Sequence, residues 1–229
     1  MSSIEWWAII TIAFAGSFGH CIGMCGGFVF AYSSTKIDPA MSRTAQLVRH
    51  SAYNLGRVSS YTLLGILFGT LGSLFLITPE FHGALFLFAG ALMIITALGM
   101  LGISSIIHSF ERSFSSMPLF KLLFSKLIKS KSIQSFFALG MMNGLFPCGF
   151  VFFFAAKAAA SASPLTGGAI MAVFGLSTVP TLLALGQSIN FMREIAFRSS
   201  MNRIAALAIL VYGLYSLYYG LAYFFTLPM

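Results

Sequence analysis

The chain has 229 residues, of which 58% are hydrophobic and only 8% are charged. A soluble domain carries roughly 25% charged residues, so this composition excludes an ordinary water-soluble protein and indicates a protein that lies in the lipid bilayer. The formal net charge is +8. Because the basic residues lie between apolar segments, membrane topology explains them, and nucleic-acid binding is not expected.

Apolar runs long enough to cross a bilayer recur along the whole chain, separated by short polar segments. Because backbone groups in lipid must form hydrogen bonds within the chain, we interpret these runs as helices. The six predicted helices lie near residues 6–32, 58–78, 82–106, 134–159, 165–189 and 204–226. The predicted fold is therefore all-α and integral to the membrane, with six transmembrane helices in a single domain, residues 1–229.

The distribution of basic residues predicts the topology. Every Lys and Arg except Lys157 lies in the first, third or fifth connector between the predicted helices. Connectors rich in Lys and Arg remain in the cytoplasm, so both termini are expected outside. Lys157 lies near the end of the fourth predicted helix, from which its side chain can reach the membrane interface.

The chain divides into two halves of three predicted helices each. The first half covers about residues 6–106 and the second about 134–226, and a basic cytoplasmic connector at about 107–133 joins them. An odd number of helices per half makes the halves enter the membrane from opposite sides, which predicts an inverted repeat. One short match supports the repeat: MCGGFVF, which contains Cys25, resembles PCGFVF, which contains Cys148.

Both of these cysteines lie among residues that interrupt helices or let them pack closely, as in the working sites of inverted-repeat membrane proteins. Pro147 is expected to bend or break the fourth helix just before Cys148. The other residues expected to shape these places are Gly19, Gly23, Gly26 and Gly27 in the first helix and Asn143, Gly144 and Gly149 in the fourth. On a regular helix the glycines of the first form one face, which predicts close packing, while Cys21 and Cys25 project from the other side. Close helix packing with incidental cysteines is the structural alternative.

A pair of cysteines on interrupted, symmetry-related helices is suited to thiol–disulfide exchange. Such a pair would receive electrons from a cytoplasmic thioredoxin and pass them to an outer thioredoxin-like partner. This chemistry needs no cofactor, and no motif typical of a hydrolase or a transferase accompanies the cysteines.

Soft-metal binding is the alternative for the first helix. The pairs His20/Met24 and Cys21/Cys25 are each four residues apart, and imidazole, thioether and thiolate ligands together suit Cu(I). Cβ atoms four residues apart on a helix stand about 5–6 Å from each other, whereas a disulfide needs about 3.8 Å. Cys21 therefore fits metal ligation better than a disulfide with Cys25. The alternative function is a transporter or delivery protein for Cu(I) or another soft metal.

Three segments resemble those of a known family: FGHCIGMCGGF in the first predicted helix, YNLGRVSSYTLLG at the start of the second and NGLFPCGFVF in the fourth. They are similar to the DsbD/CcdA-like cytochrome c biogenesis transmembrane family, also filed under sulfite-exporter-like or urease-accessory-like transmembrane names. The resemblance covers nearly the whole chain. It implies a multi-pass electron relay in the bacterial inner membrane, with Cys25 and Cys148 as the redox pair, that reduces outer thioredoxin-like proteins for cytochrome c maturation.

The sequence departs from the family pattern by carrying His20 and Cys21 just before Cys25. This departure leaves copper or nickel handling in metalloenzyme assembly open beside the relay. Two further alternatives are an anion exporter, with Arg57 and Lys157 as its charge partners, and a purely structural membrane subunit.

Overall fold

The computed structural model describes residues 3–22, 25–38, 40–74, 79–101, 118–146, 148–187, 206–207, 210–211 and 213–222. The regular elements within these residues are all helical, in agreement with the predicted fold class. In chain order they are α1 (Ser3–Gly16), a π-helical turn (Ser17–Cys21), α2 (Gly26–Lys36), α3 (Arg43–Leu74), α4 (Pro79–Met100), α5 (Pro118–Lys129), α6 (Ile133–Gly144), α7 (Gly149–Ala160), α8 (Pro164–Gln187) and α9 (residues 213–222).

The first and fourth predicted helices each comprise more than one element. The first contains α1, the π-helical turn and α2, and the fourth contains α6 and α7. The interruption expected before Cys148 is present, because α6 ends at Gly144 and α7 begins at Gly149. Each of these divisions lies next to a cysteine that the sequence singled out.

The second predicted helix is longer than expected, and its predicted start is wrong. α3 begins at Arg43 and has 32 residues. Its first half continues the helix because polar side chains recur there every three or four residues and form a buried face. The residues of this face are His50, Tyr53, Asn54 and Arg57. A buried polar face lowers the local hydropathy, so a search for apolar runs begins this helix too late.

The number of membrane spans stays a prediction. Among the described residues, one helix, α8, is long and apolar enough to cross a membrane, and the segment Phe150–Ala160 of α7 is apolar but shorter. The predicted third and fifth helices correspond to α4 and α8. Much of the predicted sixth helix and of the long third connector lies outside the described residues.

Glycines allow α3 to contact α6 and α8 directly. A Cβ added at Gly65 of α3 would meet the backbone oxygen of Gly167 in α8, and a Cβ added at Gly167 would meet that of Gly65. Between α3 and α6, a Cβ added at Gly56 would meet the backbone of Phe137, and a Cβ added at Gly140 would meet the backbone of Tyr53. Small residues at such crossings let helix backbones approach closely. The position of α3 between α6 and α8 is therefore set by backbone contact.

The predicted glycine face of the first helix does not extend to Gly27. Gly26 is buried, but Gly27 is exposed, and a Cβ added there would meet nothing within 4 Å. The π-helical turn explains the difference, because its wider turn rotates the residues after it relative to a regular helix. Cys21 and Cys25 consequently face the core.

Two clusters of buried apolar side chains form the core of the described residues. The first is rich in aromatic rings and joins α1, α3, α4, α7 and α8; the rings of Phe154 and Phe174 stack with centroids 4.4 Å apart. The second joins α2, α3, α6 and α8 and contains Cys21 and Cys25. Cys148 packs against the first cluster. The cysteines of the two predicted halves thus have different surroundings.

Candidate thiol site

Cys25 and Cys148 occupy the same place relative to a helix. Cys25 is the N-cap residue of α2, and Cys148 is the N-cap residue of α7. The first N–H groups of a helix lack partners within it and carry partial positive charge, which favours an anion nearby. Where the helix is interrupted, as at Cys148, this position suits a sulfur that becomes negatively charged during a reaction.

The two cysteines differ in backbone conformation. Cys25 is helical, with φ −80° and ψ −18°, and its N–H donates to the carbonyl oxygen of Cys21 at 3.0 Å. Cys148 is extended, with φ −128° and ψ 150°. The chain therefore keeps a helical hydrogen bond across Cys25, whereas the helix is fully interrupted at Cys148.

Polar groups surround Cys25 within its apolar cluster. Its side chain is only 9% exposed, and the thiol of Cys21 and the side-chain amide of Asn143 lie beside it. Asn143 also donates from Nδ2 to the hydroxyl oxygen of Tyr53 at 2.6 Å. Tyr53 thus holds the Asn143 amide in place beside the sulfur.

A buried arginine lies on another side of the same sulfur. Arg57 of α3 is 1% exposed, and its Nη2 lies 3.9 Å from the Cys25 sulfur. The same nitrogen donates to the hydroxyl of Tyr61 at 2.9 Å. Nε and Nη1 of Arg57 have no hydrogen-bond partner among the residues that the structure describes. Buried polar atoms are usually paired, so these two nitrogens need an explanation.

Cys148 has a simpler environment. It is half-buried and packs against the aromatic cluster. Its carbonyl oxygen accepts a hydrogen bond from the N–H of Phe152 at 3.1 Å, which forms the first turn of α7. At the other side of the interruption, Gly144 ends α6 against Ser60, whose Cβ would lie 2.8 Å from a Cβ added at the glycine. The interrupted segment is therefore held close to α3.

Two buried basic residues belong to the first connector, outside the predicted spans. Nζ of Lys36 donates to Oγ of Ser135 at 2.6 Å and to the carbonyl oxygen of Leu127 at 2.9 Å, and burial lowers the pKa of Lys36 to about 8. Nδ1 of His50 lies 2.7 Å from the hydroxyl oxygen of Tyr32, and burial lowers the pKa of His50 to about 4. His50 is consequently neutral near neutral pH.

The structure brings Cys21, Cys25 and Asn143 of the sequence-predicted site together. Sequence reasoning missed three further members of the site, namely Tyr53, Arg57 and Tyr61. Their spacing was the available signal, because polar residues that recur every three or four positions next to an apolar run share one helix face. Arg57 was considered only as a charge partner for an exporter.

Several predicted residues cannot be placed. Gly23, Met24 and Pro147 lie outside the described residues, as do the side-chain surroundings of Gly19, His20 and Gly149. Where the chain is described, no group of three or more His, Cys, Asp or Glu side chains could hold a metal ion. The Cu(I) hypothesis, which needs His20 and Met24, therefore stays a prediction.

The fold and the buried thiols define the class of protein, a helical membrane protein with cysteines in its core. A family model described as the cytochrome c biogenesis protein transmembrane region matches residues 8–215, and the chain belongs to this family. No curated protein and no solved structure matches the chain. The family confirms the resemblance seen in the sequence and the expected membrane location, and it associates the chain with cytochrome c biogenesis and thioredoxin-like partners in general.

Proposed function

We propose that the protein is a transmembrane thiol–disulfide relay with Cys25 and Cys148 as its redox pair. It passes reducing equivalents across the bacterial inner membrane, from a cytoplasmic thioredoxin to an outer thioredoxin-like partner, for the assembly of cytochrome c or of a metalloenzyme. The observation that carries the proposal is the equivalent position of the two cysteines. Each is the N-cap of the second α-helix within a predicted span.

Each passage of two electrons consists of two bond exchanges at sulfur. A thioredoxin thiolate attacks the Cys25–Cys148 disulfide and forms a mixed disulfide with one cysteine, while the electron pair of the broken S–S bond stays on the other. The second thioredoxin thiol then displaces the relay cysteine, which leaves an oxidised thioredoxin and a reduced relay. The reduced relay attacks the disulfide of the outer partner in the same way, so electrons and protons balance without a cofactor.

Reciprocal glycine contacts support the inverted repeat on which the relay depends. Gly65 and Gly167 lie in the second and fifth predicted helices, and an added Cβ at either would meet the backbone oxygen of the other. Gly90 and Gly213, in the third and sixth, have the same relation at 2.9 and 3.2 Å. Crossings of corresponding helices at like positions are expected if a two-fold axis relates the halves. This symmetry would bring Cys25 and Cys148 towards each other.

Single-cysteine substitutions test the relay in cells that lack the native protein. We expect Cys25→Ser and Cys148→Ser each to lower the level of c-type cytochromes at least about tenfold, because exchange requires both sulfurs. Cys21→Ser is the comparison, since it removes the buried thiol beside Cys25 but leaves both cysteines of the proposed pair. Its cytochrome level should stay well above that of either substitution in the pair.

A trapping experiment tests the partner directly. An outer thioredoxin-like protein that lacks its second, resolving cysteine should form a mixed disulfide with the relay, visible as a gel shift that a reducing agent removes. The shift should be lost when Cys25 and Cys148 are both replaced by serine. Full cytochrome assembly in Cys148→Ser would contradict the proposal.

A further inference from the structure

Arg57 is a buried cation that the exchange steps do not use. The chain has five acidic residues, and the nearest in sequence, Asp38, is exposed. Within the described part of the chain, two of the three Arg57 guanidinium nitrogens have no hydrogen-bond partner. Burying a charge without a counter-ion is costly in free energy. Among the described residues no carboxylate pairs with this guanidinium, so a negative charge that forms beside it would be stabilised.

The Cys25 sulfur is the group that becomes this anion during exchange. Nη2 of Arg57 lies 3.9 Å from it, close enough for a strong attraction in a medium of low dielectric constant. The titratable groups near enough to interact with a charge on this sulfur are the thiols of Cys21 and Cys148 and the phenols of Tyr53 and Tyr61. None of these groups is a cation, so Arg57 supplies the positive charge.

We propose that Arg57 stabilises the negative charge on the Cys25 sulfur, so that Cys25 is a thiolate whenever the relay disulfide is open. The use of this thiolate in exchange rests on the proposed relay. The pairing of charge between Arg57 and Cys25 does not, because it follows from the geometry alone.

Exchange at the relay disulfide balances with this charge. When a thioredoxin thiolate attacks the Cys25–Cys148 disulfide, one relay sulfur forms the mixed disulfide and the electron pair of the broken bond stays on the other. The second thioredoxin thiolate then attacks the thioredoxin sulfur of the mixed disulfide and releases the bound relay sulfur. The reduced relay carries the negative charge on Cys25, beside the guanidinium of Arg57, and a proton on Cys148. Thioredoxin is oxidised by two electrons and the relay is reduced by two.

The test uses the full chain in detergent with Cys21→Ser and Cys148→Ser, so that Cys25 is the only thiol. Methyl methanethiosulfonate is the probe, since a thiolate attacks its outer sulfur and expels methanesulfinate. We expect Arg57→Gln to lower the rate constant of this reaction at least about tenfold at constant pH. Arg57→Lys, which restores a positive charge, should recover part of the rate that Arg57→Gln loses. The ultraviolet absorbance of a thiolate, lost on modification, should be present in the parent and Arg57→Lys and absent in Arg57→Gln.

An unchanged rate in Arg57→Gln overturns the proposal. If Arg57→Gln does not fold, the parent protein still tests the proposal. Absence of thiolate absorbance in the parent before modification also overturns the proposal. The modification experiment does not measure cytochrome assembly, so failure of the Arg57 proposal and failure of the relay proposal give different results. Loss of the charge pair in a protein that still supports cytochrome assembly refutes only the role of Arg57, whereas an intact charge pair in a protein whose cysteines are dispensable refutes only the relay.

Discussion

Cys25 and Cys148 occupy the same position of a helix, yet their surroundings are opposite in character. Cys25 is buried and contacts a thiol, an amide and the guanidinium of Arg57. Cys148 is more exposed and packs against aromatic rings. The sequences around Cys25 and Cys148 resemble each other, yet the two sulfurs lie in chemically different environments. We infer that Cys25 is the sulfur whose surroundings favour negative charge.

The asymmetry originates in α3. Its buried polar face supplies Tyr53 and Arg57 to the Cys25 cluster, and this face begins in a segment whose composition resembles a connector. The predicted counterpart of this helix in the second half is α8, which contains no charged residue. The predicted repeat makes α3 and α8 equivalent, but only α3 carries an arginine. Cys25 therefore has a cation beside it through Arg57 of α3, and α8 supplies none.

The largest expected effect comes from separating α3 from α6. A Cβ at Gly140 of α6 would meet the backbone of α3 at Tyr53, and no flexible side chain can move aside to relieve this clash. We expect Gly140→Val to lower the free energy of unfolding by about 3 kcal/mol or more. Denaturation of the purified protein in detergent measures this loss. Cys25, between α3 and α6, should become more accessible to alkylation.

Gly27→Ala is the matched control for this substitution. A Cβ at Gly27 would meet nothing within 4 Å, and the residue lies in α2. Alanine is favoured over glycine in a helix, so we expect no loss and a gain of up to about 1 kcal/mol. Equal destabilisation by Gly140→Val and Gly27→Ala would show that backbone contact between α3 and α6 does not stabilise the packing around Cys25.

Acid should lower the free energy of unfolding, because it protonates the buried His50 of α3. Burial lowers the pKa of His50 from 6.5 to about 4, so between these values the unfolded chain binds a proton that the folded protein excludes. The contribution of neutral His50 to the free energy of unfolding is complete above pH 6.5 and is lost as the pH falls towards 4. The expected loss is about 2–3 kcal/mol, measured as the free energy of unfolding across this range.

His50→Gln provides the comparison for this titration. Glutamine does not titrate, and its amide can still form a hydrogen bond with Tyr32, which contacts His50 in the structure. We expect the variant to lose the pH dependence between pH 6.5 and 4. A slope that persists unchanged in the variant would assign the acid sensitivity to other groups.

Hydrophobic periodicity was sufficient for helices that are apolar throughout. It located α4 and α8, and proline chemistry indicated the interruption before Cys148. It could not locate the start of α3, because a buried polar face has the hydropathy of a connector. Hydrophobic periodicity also could not predict that Arg57 lies beside Cys25. That contact depends on where α3 crosses its neighbours, which glycines from distant parts of the chain determine.

The smallest expected effect concerns the hydrogen bond that orients Asn143 towards Cys25. Nδ2 of Asn143 donates to the hydroxyl of Tyr53, and Tyr53→Phe removes the acceptor without changing the ring. We expect a loss of about 1 kcal/mol in the free energy of unfolding, since a buried amide is left without this partner. Asn143→Ala and the double variant complete a cycle whose coupling energy should also be about 1 kcal/mol.

Thiol reactivity connects this cycle to the two cysteines. Because Asn143 lies beside the Cys25 sulfur, whereas Cys148 packs against the aromatic cluster, Tyr53→Phe should change the alkylation rate of Cys25 but leave that of Cys148 unaltered. Each rate is measured in a chain in which the measured cysteine is the only thiol. Equal changes at both sulfurs would mean that the two environments are coupled through α6 and α7, and the division of the core into a charged and an aromatic side would then be wrong.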